Sequence, residues 1–251
     1  LKAMEVIRST NNQRIKYLRS LSGKKGRDTH SAYIAEGYNI LKSAPANPKG
    51  ELFIKESLAP KFLHLADKLS CPATLIADTL FDSVADTVNS GGVLAVFPQE
   101  VSKPISTDFV LLLDGIRDAG NAGTIVRTAV AMGVVDIVAI DSVDFYNPKT
   151  VRATMGGIFH INPVVADRGD ISALLLDYHI AALDMSGTNL FGYTLPTAKF
   201  ALAVGSETAG ISPEVKAIAG DIISIPMPSG RAESLNAAVS ASIALAVLMH
   251  G

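Results

Sequence analysis

One cysteine, Cys71, is all that 251 residues contain, so an intramolecular disulfide framework is excluded and no cysteine cluster exists for a structural zinc. Such a chain is expected in a reducing cytoplasm. Long apolar runs are missing as well. None reaches the roughly 18–20 residues of a membrane span, and the nearest candidate, the final run, is broken by Ser234, Asn236, Ser240 and Ser242. Neither a membrane nor a metal is expected as a partner. The opening residues lack the basic-then-apolar secretory pattern, and Met4 is expected to be the natural start behind Leu1–Ala3. Repeats and low-complexity tracts are absent. Acids are scarce at one end, where residues 1–27 hold only Glu5 against eight Lys or Arg.

That last scarcity points to a partner. The rest of the chain carries 14 bases and 23 acids, so the net charge of -2 conceals a local basic excess. Phosphate contacts need concentrated positive charge whatever the total, although a solvated basic helix would look the same by charge alone. Within this segment Ile15, Leu18 and Leu21 recur every third residue, which predicts one short helix ended by Gly23. A hydrophobic fraction of 48% is ample for a buried core.

The stretch "PQEVSKPISTD" has two prolines and no periodicity and reads as a linker. It divides the chain into a domain at 4–98, a linker at 99–106 and a domain at 107–251. In the second, short runs rich in Val, Ile and Leu ("FVLLLDGI", "DIVAID", "IAALDM", "FALAVG", "DIISIPM") alternate with helix-like segments. That pattern is an α/β domain with a mostly parallel sheet covered on both faces. In such sheets ligands bind beyond the carboxyl ends of the strands.

Three loops at those ends stand out. "DGIRDAGNAGTIVRTAVAMG" places Asn121 at an N-cap position, and its helix buries Ala122, Ile125, Val126, Ala129 and Val130 while turning Arg127 away. It lacks G-x-G-x-x-G and G-x-x-x-x-G-K-[ST], against dinucleotide and nucleoside-triphosphate binding. "VGSETAG" delivers Gly205 and Glu207 and lacks the G-x-S-x-G of a hydrolase elbow. "IPMPSGRAESLNAAV" leads into an almost wholly apolar helix through Ser234 and Asn236, which either cap that helix or face a ligand.

Together these loops resemble, in order and spacing, the three signature motifs of the SpoU or TrmH-type RNA ribose 2'-O-methyltransferases of the SPOUT superfamily. The likeness covers residues 109–250, and "NPKTVRATMGGIFHINPV" is similar to an intervening family segment. "NQRIKYLRSL", "KKGR" and "YIAEGYNIL" resemble the L30e-like α/β module attached to many of these enzymes. Departures from the family pattern are Gln13 and Ala119, each where proline is frequent, and Thr154 where serine is usual.

The resemblance implies a C-terminal parallel-sheet domain tied in a trefoil knot, a homodimer, and S-adenosylmethionine as methyl donor to a ribose hydroxyl, with ribosomal RNA favoured over transfer RNA. It implies catalytic positions at Asn121, Arg127, Glu207, Ser234 and Asn236, and a cofactor held by backbone around Gly205, Ile225, Met227 and Leu235. The basic end would then bind RNA phosphates through Arg14, Lys16, Arg19, Lys24, Lys25 and Arg27. Family reasoning makes Arg127 the group that activates the hydroxyl. An arginine of pKa above about 12 is a poor base, and clamping a phosphate while stabilising a developing alkoxide suits it better. The alternatives are a base-directed enzyme of the same superfamily and a knotted RNA-binding or ribosome-assembly protein without catalysis.

Overall fold

The computed structural model describes residues 6–47, 49–85, 91–228 and 233–250; the expected start at Met4 and residues 229–232 of the third loop lie outside them. Contacts divide the chain into two compact units, Leu1–Gln99 with Tyr146–Phe159, and Glu100–Phe145 with His160–Gly251.

The described strands of the first unit are β1 (Val6–Ile7), β2 (Ala32–Glu36), β3 (Glu51–Lys55), β4 (Ala73–Ile76) and β5 (Val93–Pro98), in the spatial order β1-β4-β3-β5-β2. The sheet is mixed: β4 runs parallel to β1 and β3, and β5 antiparallel to β3 and β2. The helix Gln13–Leu21 forms as its spacing predicts, with Ile15, Leu18 and Leu21 fully buried in a cluster with Phe53 and Phe81. Asn12 caps it by accepting from the Arg14 backbone N–H at 2.8 Å. The helix stops at Leu21, just ahead of Gly23 as expected, and Gly23 also caps a second helix, Lys24–His30.

The segment Tyr146–Phe159, which the sequence reading leaves inside the second domain, packs with this first unit. Aromatic contacts at both its ends account for that. Tyr146 lies 4.7 Å from Tyr33 and Phe159 lies 5.2 Å from Phe97, between ring centroids, and offset aromatic pairs add ~0.5–1.5 kcal/mol to simple area burial.

The second unit contains β6 (Phe109–Asp114), β7 (Asp136–Ile140), β8 (Asn162–Val165), β9 (His179–Asn189), β10 (Phe200–Gly205) and β11 (Asp221–Ser224), ordered β11-β9-β10-β6-β7-β8. Every pairing among them is parallel. Five of these strands are the five apolar runs of the sequence. The sixth, β8, contains Pro163 and lies at the sheet edge, where proline is tolerated because one side of the strand needs no partner. Over the apolar stretch "ISALLLDYH" the helix is only Ile171–Leu174, since Ile171 and Leu175 reach the core while Leu176 is 79% exposed. The linker is anchored at its end: the Ser106 and Thr107 N–H groups donate to the buried Asp136 carboxylate at 3.0 and 2.9 Å.

Two features shape the end of the sheet where the loops emerge. Pairing of β11 with β9 slips between Ile222 and Ile223, whose partners are Ala182 and Thr188, so Leu183–Gly187 bow out of the ladder. The C-terminal helix Ala237–His250 buries Ala237, Ala241, Ala244, Leu245 and Leu248 and packs against the helix Ala119–Ala131. Among the described residues no helix is long and apolar enough to cross a membrane.

Candidate active site

The first loop turns at Gly115 (φ 72°) and enters its helix through Asp118, not Asn121. The Asp118 carboxylate accepts from the Asn121 backbone N–H at 2.8 Å, so capping is done three residues earlier than the sequence suggested. This releases the Asn121 side chain. Its amide donates in a short hydrogen bond to Glu207 Oε1, an atom delivered by the second loop. The buried stripe is as read, with Ala122, Ile125, Val126 and Ala129 buried and Val130 half-buried.

Asn236 completes the cluster from the third loop. Its Nδ2 donates to Glu207 Oε1 at 2.6 Å and to Asn121 Oδ1 at 3.1 Å. Its Oδ1 meanwhile accepts from the N–H groups of Ala238 and Val239 at 2.9 and 3.2 Å, capping the C-terminal helix. Capping and site-building are therefore one residue's two ends. Glu207 Oε1 also receives the Ala237 N–H at 3.4 Å, whereas Oε2 has no hydrogen-bond partner among the described residues.

Beside this cluster lies a cavity of about 290 Å³ lined by Gly205, Ile225, Met227 and Leu235, with Ser234 and Glu207 also on its wall. All four backbone positions expected around a cofactor thus border one space, near the lower end of the ~300–1,000 Å³ usual for ligand pockets. Gly205 is required by packing: a Cβ there would stand 2.2 Å from the Gly210 backbone. Gly210 itself turns at φ 65°.

The sequence reading missed the bowed segment of β9. Leu183, Asp184 and Met185 form another wall of the cavity. Asp184 pairs with Lys216 at 2.7 Å and accepts from the backbone N–H and hydroxyl of Ser186. The Lys216 ammonium, followed by the two Ser186 donors, holds the Asp184 carboxyl down to about 2. No periodicity could reveal this wall, because it exists only where strand register breaks.

Arg127 stands apart from the cluster. It is exposed on the helix Ala119–Ala131 and has no ion-pair partner among the described residues. Two helical turns of 3.6 residues separate it from the Asn121 end less about one residue, so it projects from the same helix further along.

The basic candidates of the first unit divide. Lys16 and Lys25 are exposed with no ion pair among the described residues. Arg14 pairs with Glu51 at 3.1 Å, Lys24 with Asp28 at 2.9 Å, and Arg19 donates to the Ser83 hydroxyl at 3.0 Å. Arg27 requires a correction. It is 2% exposed and donates to the carbonyls of Leu21 and Ser22 at 3.1 and 2.8 Å, joining two helices from inside. A guanidinium so placed is structural and does not present itself to a phosphate.

Fold and site together define an α/β enzyme class with a ligand cavity at the strand ends, and the chain belongs to the SpoU rRNA methylase family, which matches residues 108–246. An MRM3-like substrate binding domain matches residues 12–95. The chain is similar to the 23S rRNA (guanosine(2553)-2'-O)-methyltransferase RlmP of Bacillus subtilis, at 30% identity over 96% of this chain and 97% of that protein. Among solved structures it is similar to an AdoMet-bound rRNA methyltransferase from Sinorhizobium meliloti, with TM-score 0.84 and 26% identity over 97% of each chain. It also shares the fold of the SpoU methyltransferase AviRb from Streptomyces viridochromogenes in complex with AdoMet, with TM-score 0.80 and 23% identity over 94% of this chain and 96% of that one.

Proposed function

We propose that this chain is an S-adenosylmethionine-dependent RNA methyltransferase acting on a ribose 2'-hydroxyl, with ribosomal RNA as its substrate. The observation that carries the reading is the meeting of Asn121, Glu207 and Asn236 at the wall of a cavity lined by Gly205, Ile225, Met227 and Leu235. The relatives whose names state a 2'-O-methyltransferase activity support it.

The cavity suits the cofactor. Apolar side chains of Leu183, Ile225, Met227 and Leu235 offer faces to a flat base, while exposed loop backbone offers hydrogen bonds. When bound, S-adenosylmethionine supplies a methyl carbon activated by its sulfonium. Asn121 and Asn236 fix Glu207 by taking up Oε1, which leaves Oε2 to accept a hydrogen bond from the reacting ribose or its neighbour. Ser234 adds a hydroxyl at the same wall. Arg127 clamps the phosphate next to the target and stabilises the alkoxide as the hydroxyl gives up its proton.

The working protein in this reading is a homodimer of knotted subunits in the cytoplasm, with domains at 4–98 and 107–251 apart from Tyr146–Phe159, which packs with the first. The outer side of the C-terminal helix supports the dimer: it carries Val239, 47% exposed, and the half-buried Ile243 and Val247. An apolar face of this kind calls for a cover. Lys16, Arg19, Lys24 and Lys25, with Arg14, provide phosphate affinity, positioning RNA without reading bases.

The test begins with calorimetric titration of S-adenosylmethionine, with NADH as control. It continues with labelled methyl transfer to ribosomal RNA and an assay for alkali-resistant linkages, which ribose methylation creates by blocking the 2'-oxygen. Binding of the first ligand alone and an alkali-resistant label are expected. Arg127→Lys keeps the charge but loses the fork, and near-wild-type activity of that variant would count against the clamp. Absence of cofactor binding would put a non-catalytic RNA-binding role first.

A further inference from the structure

The loop that carries Glu207 is gripped at both ends by one buried residue, Asp114. Asp114, at the end of β6, sits opposite Gly205 in the β10 ladder, so its backbone fixes the start of the loop. Its side chain, in a residue 2% exposed, accepts from the Ser212 N–H through Oδ2 at 2.6 Å and so fixes the finish. Between those points the chain closes on itself, with the Gly210 N–H bonded to the Ser206 carbonyl at 2.9 Å and the Ala209 N–H to the Ser206 hydroxyl at 3.2 Å.

A buried carboxylate is costly unless paired and hydrogen-bonded. Arg168 supplies the pairing. Its Nη1 donates to Asp114 Oδ1 at 3.0 Å, while Nε and Nη2 donate to Asp141 Oδ2 at 3.0 and 2.5 Å. Asp141 follows β7 at φ 47°, and Arg168 follows β8. One guanidinium therefore laces together the carboxyl ends of β6, β7 and β8 and, through Asp114, the exit of β10.

We propose that Asp114 and Arg168 are positioning residues that hold the Gly205–Ser212 loop, and through it Glu207, in the geometry that meets Asn121 and Asn236. Their effect on turnover rests on the methyltransferase reading, whereas their effect on the loop does not. An uncompensated Asp114 charge would draw water into the clasp, free Ser212, and let Glu207 drift. A misplacement of ~1 Å costs a reaction on the order of 100-fold.

The experiment compares wild type with Arg168→Ala, Arg168→Lys and Asp114→Asn. It uses hydrogen exchange of the 206–212 amides, cofactor affinity by calorimetry, and kcat and KM for RNA. Tyr193→Phe serves as a stability control, since it removes a hydrogen bond to Asp221 among residues outside the loop cluster. Expected are at least ~10-fold faster exchange confined to 206–212 in Arg168→Ala, an ~10- to 100-fold loss of kcat, and an unchanged KM for RNA. Partial recovery is expected in Arg168→Lys, which keeps the charge and one donor. If Arg168 acts through Glu207, the double variant Arg168→Ala/Glu207→Gln is no slower than Glu207→Gln alone.

Unchanged exchange at 206–212 would overturn the proposal, as would losses that multiply in the double variant. Should Arg168→Ala fail to fold, Arg168→Lys and Asp114→Asn carry the same comparisons. A wild type that transfers no methyl group but whose loop loosens in Arg168→Ala would refute the functional reading and leave the clasp standing.

Discussion

Replacing Asn236 by aspartate exchanges one heavy atom, the amide nitrogen for an oxygen, and separates its two roles. The capping oxygen survives, and an aspartate caps a helix as well as asparagine does. The amide donors to Glu207 Oε1 and Asn121 Oδ1 are lost, and a second carboxylate now faces the first across a contact that measured 2.6 Å. Two unit charges about 4 Å apart repel by ~1 kcal/mol in water and ~4 kcal/mol at an effective dielectric of about 20. Both residues are exposed, which places the penalty near the lower figure.

The sign follows directly. A carboxyl whose folded pKa is raised keeps its full stability below its unfolded value and loses it as pH rises through the folded one. Asn236→Asp should therefore match wild type near about pH 3, below the ordinary carboxylate range, and fall ~1 kcal/mol behind by about pH 8 in urea unfolding, with methyl transfer strongly reduced at that higher pH. Asn236→Ala should instead lose ~1 kcal/mol of capping at both pH values. An Asn236→Asp variant with the same stability offset at both pH values, and with wild-type activity, would refute the Asn236–Glu207 contact and the role built on it.

Gly205→Ala should abolish measurable cofactor binding in calorimetry, because its Cβ would stand 2.2 Å from the Gly210 backbone and force the loop open; retained affinity would show that the loop yields freely. Asp184→Asn should be less stable than wild type at pH 7. The carboxyl's low pKa, about 2 against an ordinary 3.8, contributes stability above about pH 4 that fades as pH falls toward 2, so the deficit in unfolding midpoint should shrink on acidification. With Lys216 side chain 43% exposed, screening limits that deficit to ~1 kcal/mol. Arg27→Ala should cost roughly 2–4 kcal/mol of stability by stranding the Leu21 and Ser22 carbonyls. The double charge reversal Lys16→Glu/Lys25→Glu should leave stability alone while weakening RNA binding and flattening its salt dependence; equal losses of cofactor affinity in that variant would contradict separate roles for the two units.

Much of this was legible because apolar spacing and strand-end loops are local. Five of the six strands of the second unit announced themselves as short Val, Ile and Leu runs, the helix around Asn121 by its stripe, and the helix after Asn236 by its almost unbroken apolar run. What escaped was whatever depends on side chains meeting across the sheet. Asn121 looks like the cap in one dimension, and only the hydrogen bond from its N–H to Asp118 shows that the cap lies three residues earlier. Arg27 reads as one more basic residue until its carbonyl partners are seen. Asp114 and Arg168, 54 positions apart, leave no trace in any window of sequence.

Asn236 shows why polar residues open an otherwise apolar helix. The first N–H groups of that helix need an acceptor whether or not a ligand exists, and any of serine, threonine, aspartate or asparagine would supply one. Only asparagine has, on the same planar group, an acceptor for the helix and a donor for Glu207. Capping holds the plane of the amide, and the plane aims Nδ2 at Glu207 Oε1 and Asn121 Oδ1. The energy that orders the helix end is thus the energy that orders the site. It follows that a serine at position 236 would keep most of the stability and lose the cluster, so that melting temperature and turnover, which fall together in Asn236→Ala, would separate in Asn236→Ser.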